Sequence, residues 1–135
     1  MSDHADQPAD DAVLAELAER ESAYGLLQRA LALQQRRHHA QAAVLLERAE
    51  HLEPGKGSIL EPLARAYYNS GRSDAAARTF AALIEIDPSS AWAHFGLGQS
   101  MKRLGRDAHA RKHLRLAVAL DPESALYRSA LARLG

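Results

Sequence analysis

Three short segments of this 135-residue chain end alike: His51-Leu52-Glu53-Pro54, Glu85-Ile86-Asp87-Pro88 and Ala119-Leu120-Asp121-Pro122. The prolines fall 34 residues apart, twice in succession. A fixed interval of this size means that the same supersecondary unit is written three times. A unit that short cannot bury its own apolar face, so the chain must stack its copies against one another.

Each unit reads as two helical segments around a polar break. In the second, Leu60, Leu63, Ala64 and Tyr67 make one stripe at helical spacing, Asn69-Ser70-Gly71-Arg72-Ser73 interrupts it, and Ala76, Phe80, Leu83 and Ile84 make the next. In the third, Leu97, Gly98 and Met101 precede the break at Leu104-Gly105-Arg106, and Ala110, Leu114, Ala117 and Leu120 follow it. The first gives Leu26, Ala30 and Leu33, a break near Arg36 to His39, then Ala42, Leu46, Ala49 and Leu52. Small residues recur at one phase of each helix: Ala30, Ala64 and Gly98 in the first, and Ala42, Ala76 and Ala110 in the second. Helices approach closely at such positions. Gly71 and Gly105 suit a left-handed helix terminus, and each proline is expected to open the element after it.

The period and these positions match the outline W-x2-L-G-x2-Y…A-x3-F…P, so the chain resembles the tetratricopeptide-repeat (TPR) family over residues 23–122. His94 stands at the template's Trp position, Arg29 at a Leu position, and the first unit lacks the turn glycine. The resemblance implies an all-α fold, a right-handed superhelical α-solenoid of stacked antiparallel helix pairs. Its expected divisions are an acidic leader (1–22), partly disordered with a short amphipathic helix, three units at about 23–56, 57–90 and 91–124, and a capping helix over 123–135.

In that family the first helix of each unit lines a concave face. The side chains outside the packing stripe then form the floor: Tyr24, Leu27, Gln28, Leu31 and Gln35; Ser58, Glu61, Arg65, Tyr68 and Asn69; Trp92, Phe95, Gln99, Lys102 and Arg103; and Leu126, Ser129 and Arg133 from the cap. Aromatic residues beside arginines bury area at low entropy cost and make planar multi-donor contacts. The expected function is a non-catalytic protein–protein interaction module, adaptor, scaffold or co-chaperone-like, that holds a peptide or helix bearing apolar and acidic residues. The chaperone-binding members use Lys and Asn as a two-carboxylate clamp. Here those places hold Leu27, Leu31 and Pro62, so that ligand is not expected.

Charge sharpens the picture. Lys plus Arg and Asp plus Glu both number 17, yet residues 1–22 carry a net −6 and the remainder +6. An acidic leader with Val13, Leu14, Leu17 and Ala18 on a helix, capped by Asp10 or Asp11, resembles the ligand inferred for the groove. It serves either as an N-terminal cap or as an occupant of that groove. The terminal helices also offer a route to self-association through Leu126, Tyr127, Leu131 or Leu134.

The remaining chemistries have less to stand on. With no cysteine, disulfides, thiolate catalysis and Cys-based zinc sites are excluded. His109 and His113 share the spacing of a metal pair, but no glutamate stands beside either as a metalloprotease motif needs, so no metal and no cofactor is expected. The basic residues Lys102, Arg103, Arg106, Arg111, Lys112 and Arg115 supply the alternative reading, a nucleic-acid-binding accessory protein. No phosphate loop or nucleophile motif points to an enzyme. The polar N-terminus lacks a signal-peptide core and no stretch reaches membrane-spanning length, so a cytoplasmic location and no membrane contact are expected.

Overall fold

The computed structural model describes the backbone of residues 8–135 and the side chains of 10–18 and 21–135, and Asp3 and Asp6 of the leader lie outside it. The described residues form eight helices: α1 (Pro8–Glu21), α2 (Ala23–Gln35), α3 (His39–Leu52), α4 (Gly57–Asn69), α5 (Ser73–Ile86), α6 (Ala91–Arg103), α7 (Asp107–Leu120) and α8 (Ala125–Leu134). The 34-residue period is kept to the residue. First helices start at Ala23, Gly57, Ala91 and Ala125, and second helices at His39, Ser73 and Asp107.

Each helix packs on its predecessor and its successor in the chain, from α2 through α8, so the core is a ribbon along the stack. It is built from the repeated phases. Leu26, Ala30, Ala42, Leu46, Ala49, Ala64, Ala76, Ala110, Leu114 and Ala117 are wholly out of water, with Leu60, Leu63, Tyr67, Phe80, Leu83 and Leu97 nearly so. Gly98 marks a close approach of α6 to α7. A Cβ there would lie 2.8 Å from Leu114 Cγ and 3.2 Å from the Ala110 carbonyl oxygen. Leu52 and Leu120, expected in the stripe, are instead 53% and 41% exposed, and so is Ile86 at the same repeat position. All three are at or beside the final turn of a second helix, where the chain turns away before the next helix can cover them.

The breaks are Schellman caps. Arg72 N–H donates to the Tyr67 carbonyl and Arg106 N–H to the Met101 carbonyl, both at 2.9 Å, with Gly71 and Gly105 at φ 86° and 78°. The first unit closes identically, His38 N–H to the Leu33 carbonyl at 2.8 Å, but Arg37 takes the left-handed position at φ 64°. The three repeat prolines do not open helices. Pro88 and Pro122 lie in the turn two residues before the N-caps Ser90 and Ser124, whose hydroxyls accept from Ala93 N–H and Tyr127 N–H. Ser22 caps α2 in the same way through Gly25 N–H, whereas Lys56, at the corresponding place before α4, gives no side-chain cap.

A polar cluster couples the first unit to the second. The Tyr67 hydroxyl donates to Glu47 of α3, Arg72 reaches the same carboxylate at 3.4 Å, and its guanidinium lies 4.8 Å from the Tyr67 ring centroid. Burial, then the hydrogen bond to Glu47, pushes the Tyr67 phenol up to about 12.

The leader departs from expectation. Because α1 begins at Pro8, Asp10 and Asp11 are not caps but sit in its first turn, where carboxylates suit the helix dipole. Ser22 separates α1 from α2. Every described side chain from Asp10 to Ala18 is exposed. Glu21 pairs with Arg48 of α3 at the base of the helix.

Candidate functional site: the concave groove

The first helices α2, α4, α6 and α8 follow one another along one side of the stack. None of the floor residues expected from phase is buried: Tyr24, Leu31, Arg65, Asn69, Lys102, Arg103 and Arg133 are exposed, and Leu27, Tyr68, Trp92, Phe95 and Gln99 half-buried. They do not contribute equally. A cavity of about 260 Å³ opens between α4 and α6, lined by Arg65, Tyr68, Asn69, Phe80, Trp92, Phe95, Gly96 and Gln99. Tyr24, Leu27, Leu31, Lys102, Arg103 and Arg133 are not among its walls.

Two lining residues, Phe80 and Gly96, do not belong to the outward phase of a first helix. Phe80 comes from α5 and reaches the groove because Gly96 has no side chain: a Cβ on Gly96 would sit 2.1 Å from Phe80 Cε1. The ring therefore lies on the α6 backbone and meets Trp92 edge-on, centroids 5.2 Å apart. Two glycines close together in Phe95-Gly96-Leu97-Gly98 were the available signal. Gly98 is explained by α7 packing, and Gly96 required a second cause.

Around this aromatic floor stand cations and amides. The Arg65 guanidinium lies 5.1 Å from the Trp92 ring centroid, and that of Arg103 lies 3.5 Å from Tyr68 while donating to the Tyr68 carbonyl at 2.8 Å. Both guanidinium groups lie against aromatic rings, which leaves further N–H donors for a ligand. Gln99 Oε1 is buried with no hydrogen-bond partner among the described residues. At the far end Phe95 packs on Tyr127 of α8, centroids 4.8 Å apart. Burial, then Asp121, raises the Tyr127 phenol above its ordinary value.

The places of the carboxylate clamp are apolar here as well in the folded chain. Leu31 is exposed, Leu27 half-buried, and Pro62 buried within α4, its carbonyl accepting from Gln34 Nε2 at 2.9 Å. With its cavity bounded by α4, α6 and the α5 phenyl, this is a helix-repeat stack with a groove. The tetratricopeptide-repeat profile matches residues 27–91 and again 61–125. The chain belongs to the tetratricopeptide-repeat family.

Solved TPR structures share its shape. Residues 41 to the end of MamA from Desulfovibrio magneticus RS-1 superpose with TM-score 0.82 at 20% identity, covering 86% of this chain and 66% of that one. The Sgt2 TPR domain from Aspergillus fumigatus gives 0.74 at 20% identity, covering 83% and 76%. The first TPR of Spaghetti (RPAP3), bound to the HSP90 peptide SRMEEVD, gives 0.77 at 15%, covering 83% and 89%. No curated protein sequence matches. At these identities the likeness establishes the fold, a right-handed α-solenoid, and TPR arrays are modules of protein–protein interaction.

The other candidates lie elsewhere. His113 faces not His109 but His94: the two Nδ1 atoms are 3.1 Å apart, the rings stack, and His94 Nε2 donates to the Pro88 carbonyl at 3.0 Å. Since Pro88 can only accept, His94 carries its proton on Nε2, and His113 Nδ1 is the donor between the rings. Burial, then His94, lowers the His113 pKa below its ordinary value. Among the described residues no three potential ligands gather as a metal site, and no helix is long and apolar enough to cross a membrane. The basic residues divide between two helices. Arg103 is engaged with Tyr68, Arg111 reaches the Gly135 carbonyl at 3.3 Å, and Lys112 and Arg115 are exposed on α7.

Proposed function

We propose that this protein is an adaptor whose groove, between α4 and α6 and extending to α8, holds a segment of another protein. The ligand presents an apolar anchor flanked by carboxylates. The observation that carries this reading is the cavity itself, an apolar floor of Phe80, Trp92 and Phe95 edged by Arg65, with the Arg103 guanidinium beside it against the ring of the lining residue Tyr68. The floor takes a leucine- or phenylalanine-sized side chain, and fork-shaped guanidinium groups suit carboxylates. Gln99 offers its carboxamide to a peptide N–H. Spaghetti's peptide, SRMEEVD, joins acidic and apolar residues in the same manner. The clamp positions here are Leu27, Leu31 and Pro62, so the proposed ligand is held at Arg65 and Arg103 instead.

Selection from a random peptide display library with the wild-type protein tests it. Enriched peptides should combine a large apolar residue with Asp or Glu and lose at least about tenfold in affinity to Arg65→Glu, and their binding should weaken with added salt. Peptides that lack acidic residues, or that bind Arg65→Glu as well as wild type, would overturn the reading.

A further inference from the structure

Helix α1 meets the stack only near its C-terminal end, where Glu21 pairs with Arg48, and leaves its apolar side uncovered. Across Asp10–Ala18 no described side chain is shielded, and Val13, Leu14 and Leu17 are 54%, 64% and 51% exposed. Three and four residues apart, these three share one side of the helix, with Asp10 a turn before Val13 and Leu14, and Asp11 and Glu16 flanking them. A helix of 14 residues is marginal in water by itself, so this side calls for a partner. Since its apolar residues are exposed, they are not seated in the chain's own groove.

The groove has the opposite composition. Its apolar floor is edged by Arg65, with Arg103 beside it on Tyr68 and Lys102 exposed beyond, while α1 offers apolar anchors edged by carboxylates. Its length fits too: at about 1.5 Å per residue the helix spans about 21 Å, comparable with three first helices side by side at about 8–10 Å spacing.

Resting on the groove reading above, we infer that α1 of one copy docks in the groove of a second copy. Val13, Leu14 and Leu17 enter the cavity floored by Phe80, Trp92 and Phe95, and Asp10, Asp11 and Glu16 meet the arginines. Such a contact is heterologous: each molecule offers one helix and one groove, both remaining unfilled at the ends. Copies therefore add head to tail into open chains rather than closing as a dimer.

Sedimentation velocity on the full chain tests this with two variants, Leu14→Asp/Leu17→Asp in the helix and Arg65→Glu/Lys102→Glu in the groove, each checked for wild-type helicity by circular dichroism. All four positions are exposed, so neither variant disturbs the core. Wild type should grow beyond a dimer as concentration rises and fall back with salt, and each variant alone should sediment as a monomer. An equimolar mixture should give a heterodimer and nothing larger, since one intact helix and one intact groove remain. Wild type that stays monomeric at several hundred micromolar, a variant that still associates alone, or a mixture that stays monomeric overturns the inference. The display selection separates the two readings: acidic, apolar peptides that need Arg65 leave the groove function standing even if the chain is monomeric.

Discussion

Arg37 is the residue at which the first repeat departs from the backbone chemistry of the other two. The three turns make the same pair of hydrogen bonds and need the same left-handed residue, which the second and third units supply as Gly71 and Gly105. A side chain at φ 64° is strained by its Cβ, whereas glycine is not. Arg37→Gly should therefore raise stability by about 0.5–1 kcal/mol, even though glycine enlarges the unfolded ensemble, and Gly71→Ala should lower it by a similar amount. Thermal unfolding of both variants checks the pair. A loss from Arg37→Gly would mean that its side chain makes a contribution larger than the strain. A break here was legible in the sequence, because the polar run Arg36 to His39 separates the two stripes. That an arginine would adopt the glycine conformation was not, since the hydrogen-bonded turn imposes it against local preference.

At the level of elements, α6 does two jobs, and one glycine serves each. Gly98 admits Leu114 of α7, and Gly96 admits Phe80 of α5. The first was visible in the sequence because it shares a phase with Ala30 and Ala64. The second was not, because the apolar phase of α5 identifies Phe80 as core and does not say that its ring also floors a cavity. Gly96→Ala should displace the Phe80 ring, cost about 1–3 kcal/mol and weaken groove ligands more than it weakens the fold. Isothermal titration against a selected peptide, beside thermal unfolding, would read both losses; unchanged affinity would remove Phe80 from the binding floor.

The other face of α6 carries His94, which stands at the template's Trp position and pairs with His113. Its bond to His113 spans α6 and α7, and a contact made by helix packing leaves no trace in spacing along the chain. The His113 pKa is lowered in the fold, so between that value and about 6.5 the unfolded chain binds more protons than the native one. Stability should be fullest above about 6.5 and fall as the pH drops below it. The decline ends once the folded pKa is passed. His113→Asn, whose amide can still donate toward His94, should flatten this part of the pH profile in denaturant titrations from pH 7.5 to 5. An unchanged slope would assign the dependence to other groups.

For the whole molecule, the decisive fact is that each helix touches chiefly its neighbours in sequence. The floor of the groove was legible for this reason: a repeated phase fixes which side of every first helix faces out. The cavity was only partly so, because its depth depends on Phe80 crossing from a second helix. The same locality governs how the stack comes apart. Leu46 and Leu114 occupy equivalent places in the first and third units and are both wholly buried. Leu114→Ala should cost about 2–5 kcal/mol by the lost contacts and the cavity left behind. In a compact core that loss would be shared by every element, whereas in a stack it belongs to the interfaces of the affected repeat. Hydrogen exchange on Leu114→Ala should therefore show amides of α6–α8 losing protection well before those of α2–α5, and Leu46→Ala should reverse the order. Uniform loss of protection in both variants would mean that coupling between repeats, including the Tyr67–Glu47–Arg72 cluster, exceeds the stability of any one repeat and makes three units fold as one.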